Sequence, residues 1–322
     1  MMESINIFYA SDDNYAKPLA VSMVSIMENT SSPVKFFILE NNISESAKNN
    51  LKKIQEKYNC SIKFLNVKID EFKNFPDLNW YSLNMYSRFL IPILEPTISK
   101  AIYLDVDIIL QKDIKELYEI NIDKYTIAAV IGEKSIINTD TFKKHIKNLG
   151  LSNNHTYFGS GVLVINCNKW IEENITQKLY KIIENKKEQL KYPDQDVLNI
   201  MFDNDYYKLS TEWNRDIACL QDDYEDDPNA VEKCFLLHYD GKEKPWNNRN
   251  VFAACLWEKY HNILFAESEL PAQNKETNKF FLIVKNPIIF LKYLFYKLVY
   301  NKKNKHKKYK RKLGLLKNYR LK

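Results

Sequence analysis

The chain has 322 residues, 45% of them hydrophobic and 13% aromatic, which supplies a substantial core and excludes a wholly disordered chain. Six glycines and ten prolines exclude collagen-like or Gly/Pro low-complexity character. The net charge of +6 comes from 47 Lys and Arg against 41 Asp and Glu, yet residues 277–322 hold 15 of the basic residues and no acidic one, so an acidic body carries a strongly basic tail.

The five cysteines form no CxxC pair, and their odd number argues against a closed disulfide framework. Met1-Met2-Glu3 leads straight into a strand-like run with no basic residue before Lys17, so no cleaved export signal is expected. Both features point to a reducing, cytoplasmic setting. The length fits two domains or one large α/β domain; the charge break divides it into a body over residues 1–270 and a tail over 271–322.

Along the body, strand and helix patterns alternate. Ile5–Ser11 (INIFYAS) is a short apolar run that reads as a buried strand, and Pro18 opens a helix through Met27. Val34–Leu39 is a second strand, and Ser44 caps a helix to Tyr58 with Leu51, Ile54 and Tyr58 on one face. Ile62–Val67 is a third strand; Ala101–Leu110 (AIYLDVDIIL) is a fourth, interrupted by two aspartates. Strands over Tyr125–Ile131 and Val162–Asn166 follow, then a long helix from Trp170. Short, nearly continuous apolar strands separated by helices indicate a mainly parallel sheet covered on both faces. Ligands of such folds bind beyond the carboxyl ends of the strands.

The chemistry-bearing residues fall at those ends. In extended chain Asp105 and Asp107 of Asp105-Val106-Asp107 point to one face. Two carboxylates at the end of a buried strand repel unless a cation lies between them, and oxygen ligands suit Mn²⁺ or Mg²⁺. His238 ends the apolar run Phe235–Leu237, either as a satisfied core histidine or as a third ligand. Downstream, Gly241 allows close backbone approach and Lys244 is a point charge suited to phosphate. Ala10, Asp12 and Asn14 follow the first strand without a GxGxxG loop, as a capped turn or as a base and ribose site. Asp194 and Gln195 open a helix, as caps or as a carboxylate and an amide facing sugar hydroxyls.

Taken in order over residues 5–250, these segments resemble the retaining glycosyltransferases of family 8, in particular the bacterial lipo-oligosaccharide galactosyltransferase type. The resemblance implies a GT-A-like, Rossmann-related α/β fold with a mixed, mainly parallel sheet. It implies uridine-binding roles for Ala10, Asp12 and Asn14, a donor contact for Arg88 within Tyr86-Ser87-Arg88, and donor binding through Asp105-Val106-Asp107, the family's DxD motif. Asp105, Asp107 and His238 become the metal ligands, Gly241 and Lys244 the diphosphate contacts, and Asp194 and Gln195 the catalytic pair beside the donor sugar. The expected donor is UDP-glucose or UDP-galactose, with Mn²⁺ or Mg²⁺ stabilising the leaving diphosphate in place of a general acid. One segment departs from the pattern: where the family usually reads FNAGVLLIN, this chain has Phe158–Asn166 (FGSGVLVIN). Gly159 cannot make an amide contact to a sugar, so the choice between glucose and galactose does not carry over.

In the tail, residues 288–300 (IIFLKYLFYKLVY) place Ile288, Phe290, Leu291, Leu294, Phe295, Leu298 and Val299 on one helical face. Thirteen residues are too few to span a bilayer, which takes about 20, but they suit its interface. Residues 302–312 add eight Lys or Arg in eleven positions, each contributing about 1 kcal/mol near anionic lipid. The apolar face favours an anionic membrane surface over nucleic acid as the partner of residues 280–322. The resulting expectation is a hexosyltransferase at the cytoplasmic membrane face of a bacterium, acting on a membrane-linked surface glycan. The alternatives are a glucosyltransferase acting on a protein or protein-linked glycan, and a non-catalytic nucleotide-sugar-binding module.

Overall fold

The computed structural model describes residues 4–271 apart from 59, 77–82 and 153. The basic, amphipathic tail expected over 271–322 lies, beyond residue 271, outside the described residues. The chain divides into two compact units, the first ending at His238 and the second beginning at Tyr239.

The first unit is built on strands β1 (Ile5–Asp12), β2 (Val34–Asn41), β3 (Ser61–Asn66), β4 (Lys100–Leu104), β5 (Ile108–Leu110), β6 (Ile127–Ile131), β7 (Phe158–Asn166), β8 (Tyr207–Leu209), β9 (Arg215–Asp216) and β10 (Leu236–His238). Seven form one sheet in the order β3-β2-β1-β4-β7-β6-β8, and β5-β10-β9 form a second. In the large sheet β3, β2, β1 and β4 run parallel, while β7 is antiparallel to both β4 and β6. The mixed, mainly parallel sheet expected from the sequence is therefore present. Its strands are apolar throughout because both faces are covered: Ile7, Phe8 and Tyr9 of β1 and Phe36, Ile38 and Leu39 of β2 are fully buried. Phe8 stacks on Phe37 across the strand pair at 4.5 Å between ring centroids. Helices Ala16–Asn29 and Glu45–Tyr58 make the crossovers, the second turning Leu51 and Ile54 inward. The Ser44 hydroxyl accepts from the Ala47 amide at its start, as the sequence predicts.

Three local expectations change. Ala101–Leu110 is not one strand: β4 ends at Leu104, the chain turns through Asp105-Val106-Asp107, and β5 joins the other sheet. Two aspartates separated by Val106 interrupt an apolar run where the chain can pass between sheets. The strand expected from Val162 begins four residues earlier at Phe158, so Gly159, Ser160 and Gly161 belong to it. The helix expected from Trp170 starts at Cys167, where the Asn166 side chain accepts from the Lys169 amide, and it stops at Glu172. Asn174, at φ 53°, turns the chain before a new helix over Ile175–Lys186.

In the second unit, helix Ala254–Leu264 is anchored by a bidentate pair between Arg249 and Glu258, both bonds 2.8 Å long. Among the described residues no helix is long and apolar enough to cross a membrane.

Candidate active site

The site forms where β4 ends. Its parallel pairing with β1 sets Phe8 against Tyr103, so Asp105 and the residues that follow β1 emerge on the same edge, the carboxyl edge where such sheets bind ligands. Asp12 lies there, its carboxylate accepting from the Tyr15 amide at 3.2 Å, a capping bond for a single helical turn. Ala10 and Asp12 are partly exposed and Asn14 is exposed.

Asp105 is held from two sides. Its amide donates to the Gly161 carbonyl of β7 at 2.9 Å, and its Oδ1 accepts from the Tyr103 hydroxyl at 2.8 Å and from Arg88 Nη2 at 3.0 Å. With Oδ1 anchored, Oδ2 is directed at His238, 3.9 Å from Nε2. Asp107 approaches from across the turn, with Oδ1 3.1 Å from His238 Nε2. His238 ends β10, directly opposite Ile108 of β5, and its Nδ1 lies 2.9 Å from Asn214 Oδ1. One donor atom from each of Asp105, Asp107 and His238 thus falls within 4.8 Å of the others. The turn between the sheets, rather than an extended strand, brings the two aspartates together.

Gly161 makes this approach possible. A Cβ there would lie 2.5 Å from His238 Cε1 and 2.7 Å from Asp105 Oδ2, closer than real contacts allow. Only glycine lets β7 pass directly beneath the cluster.

Arg88 joins this cluster to the start of helix Pro193–Met201. It is buried, donating to the Met85 and Ser160 carbonyls and to Asp105, with Nη1 3.1 Å from Asp194 Oδ2. Its guanidinium also covers the Tyr103 ring at 4.2 Å. Burial works against the charge, but Asp194, Tyr103 and Asp105 hold Arg88 above its ordinary pKa. Arg88, for which the family resemblance implies a donor contact, is fixed in place here by protein acceptors. Asp194 accepts from the Ser160 hydroxyl at 2.9 Å, and Gln195 Oε1 accepts from the Ser160 amide at 3.0 Å. Burial pushes the Asp194 carboxyl above the usual range, with Arg88 opposing the shift.

Gly241 and Lys244 belong to the second unit. Gly241 takes φ 92°, a conformation that favours glycine, and Lys244 Nζ donates to the Tyr239 carbonyl at 2.7 Å.

Several residues of the site carry no sequence signal. Tyr103 sits inside an apolar run, and Asn199 and Asn214 are single amides. Asn199 acts as a surrogate strand partner: its side chain accepts from the Phe158 amide and donates to the Phe158 carbonyl, each at 2.9 Å. That clamp fixes the helix Pro193–Met201 against β7.

The fold is a mixed α/β sheet with two carboxylates and an imidazole converging at its carboxyl edge. Residues 6–250 match glycosyl transferase family 8; the chain belongs to this family and is a retaining glycosyltransferase. A putative glycosyltransferase of Haemophilus influenzae is 37% identical over 198 residues, 61% of this chain, and the match spans 59% of that relative's length. The lipopolysaccharide 1,2-glucosyltransferase of Escherichia coli is 26% identical over 323 residues, covering 93% of this chain and 91% of its own. In fold, the chain is similar to the galactosyltransferase LgtC, solved in complex with donor and acceptor sugar analogs, with TM-score 0.72 and 22% identity over 84% of this chain and 98% of that one.

Proposed function

We propose that this protein is a divalent-cation-dependent hexosyltransferase that moves glucose or galactose from a UDP-sugar to a membrane-linked surface glycan of the lipopolysaccharide type. The observation that carries the reading is the convergence of Asp105 and Asp107, from the turn between β4 and β5, and His238, from the end of β10, to within 4.8 Å. Two carboxylate oxygens and one imidazole nitrogen fit Mn²⁺ or Mg²⁺ better than a softer ion. When bound, the cation would serve as a Lewis acid that offsets the charge building on the departing diphosphate. The acceptor class rests on the Escherichia coli relative, whose name gives lipopolysaccharide as its target.

The chain's own residues do the rest. Ala10, Asp12 and Asn14 are assigned to the uridine. Gly241 and Lys244 are assigned to the diphosphate on the family pattern. Arg88 keeps Asp105 and Asp194 at fixed separation, so the leaving-group end and the sugar end of the donor are held by one rigid group. Asp194 and the Ser160 hydroxyl orient the donor hexose. Gln195 is an amide and a poor nucleophile, which favours attack on the face from which UDP departs, with the acceptor proton passing to the leaving phosphate. Residues 280–322 are assigned to an anionic membrane surface at the cytoplasmic face, which keeps a soluble donor and a lipid-linked acceptor at one interface.

The test is UDP release from the full chain offered UDP-glucose and UDP-galactose separately, with Mn²⁺ and with chelator. Chelator-sensitive release from one donor is expected, and Asp107→Ala should make UDP affinity independent of Mn²⁺. UDP affinity in the variant that still rises with Mn²⁺ would remove Asp107 from the site.

A further inference from the structure

Asn214 stands between the cluster and the start of the catalytic helix, and the sequence gives it no role. Its place is rigid. The preceding Trp213 is buried with its ring edge-on to Phe235 at 5.1 Å, and the following Arg215 is paired with Leu237 in the small sheet. The two ends of its amide face different neighbours. Oδ1 lies 2.9 Å from His238 Nδ1. Nδ2 lies beside Gly159, where an added Cβ would come within 3.1 Å of it and 3.8 Å of Gln195 Oε1.

The orientation follows from the chemistry of His238. If Nε2 is to offer a lone pair beside Asp105 and Asp107, the neutral ring carries its proton on Nδ1, and Nδ1–H needs an acceptor. Only the oxygen end of an amide accepts, so the NH₂ end turns toward Gly159. Gly159 has no side chain to cover it, and Gln195 borders the same space. Two further hydrogen-bond donors are thereby held at the edge of the site, on the Gln195 side, where the reading above puts the donor hexose.

We infer that Asn214 is both a positioning residue for His238 and a specificity-determining residue whose Nδ2 donates to a hydroxyl of the donor hexose in the space left by Gly159. The assignment rests on the proposed function above and goes beyond it. It makes the hexose contact depend on an amide that immediately precedes β9 of the small sheet, replacing one that β7 does not supply.

Calorimetric binding of UDP, UDP-glucose and UDP-galactose to the full chain with Mn²⁺ separates the two roles without relying on turnover. Asn214→Asp keeps an acceptor for His238 but loses the donor. It should leave UDP affinity within about twofold while lowering the preference for UDP-hexose over UDP by about fivefold to tenfold, the scale of one hydrogen bond. Asn214→Ala loses both ends and should also weaken Mn²⁺-dependent UDP binding by about 10- to 100-fold, as loss of an outer partner does at metal sites. Adding Gly159→Asn to the alanine variant should restore hexose preference but not UDP affinity, because His238 still lacks its partner. Melting temperatures identify any variant that fails to fold, and Asn214→Ser, which keeps a small polar group, then takes its place. An unchanged hexose preference in Asn214→Asp overturns the inference while the function stands. Wild-type protein whose UDP binding ignores Mn²⁺ would overturn the functional reading and the inference with it.

Discussion

Asp194 and Asp196 lie two residues apart in the first turn of one helix, both out of solvent, and the fold treats them in opposite ways. Asp196 points into the core and is saturated. Its Oδ1 accepts from His145 Nε2 at 2.9 Å and the Tyr157 hydroxyl at 2.5 Å, and its Oδ2 from the amides of Lys191 and Tyr192 at 2.7 and 2.9 Å. Asp194 points the other way, sharing Arg88 with Asp105 on the side where Asp107 and His238 also gather. A carboxylate whose four hydrogen bonds are met by the fold is a structural fixture. Carboxylates crowded around one guanidinium leave negative charge for a ligand to neutralise. The difference separates what builds this site from what works in it.

The largest effects should come from exchanging each carboxylate for its amide. Asp196→Asn turns one of two acceptor oxygens into a donor, so two of the four present donors lose their acceptor, and each group left buried and unpaired costs about 1–3 kcal/mol. At this size the melting temperature should fall by roughly 2–4 °C per kcal/mol, with the donor affinity of the remaining folded protein little changed. Asp194→Asn should do the reverse, lowering turnover by about 10²–10³-fold, the scale of one preorganised electrostatic contact, with a nearly unmoved melting curve. Equal losses of stability in the two variants would erase the distinction.

A smaller effect sharpens the same contrast from the strand side. Gly161→Ala introduces a Cβ against His238 and Asp105, so one ligand must move. Mn²⁺-dependent UDP affinity should fall by about 10- to 100-fold, as when a metal site loses its supporting groups. Gly159→Ala, two residues away, would meet the Asn214 amide at 3.1 Å rather than a ligand and should leave Mn²⁺ dependence intact. If the two variants behave alike, β7 is strained as a whole and Gly161 has no special place.

Much of this was legible in the chain. Apolar runs marked six strands because buried parallel strands need no alternation, and the two carboxylates separated by one residue stood out inside such a run. The turn at Asp105–Asp107 was not legible, because local pattern does not say when a strand changes sheets. Spacing could not reveal that Asp194 and Asp196 face opposite ways either, since both read as acids favoured at a helix start. Only long-range partners tell them apart: Ser160 and Arg88 for one, His145 and Tyr157 for the other. Asn214 was invisible for the same reason, as its meaning comes from His238 and Gly159, distant in sequence. Family pattern singled out Asp105, Asp107 and His238; packing alone shows what holds them.

The smallest expected effect is a pH dependence of stability carried by Asp194. Burial raises its carboxyl above the ordinary value of 3.8, while Arg88 and the Ser160 hydroxyl limit the rise. A carboxyl with a raised folded-state pKa binds its proton more tightly when folded. It therefore contributes stability that is fully present below 3.8 and is lost as pH climbs through the raised value. Asp194→Asn carries no such group. The difference in urea-unfolding free energy, wild type minus variant, should accordingly be most positive at the acid end, decline across the window above 3.8, and level off toward neutrality. Asp196→Asn, measured alongside, controls for general acid sensitivity of the fold. A difference for Asp194 that instead grows with pH would mean that the Arg88 pairing outweighs burial. Asp194 would then belong with Asp196, as a carboxylate the fold has satisfied.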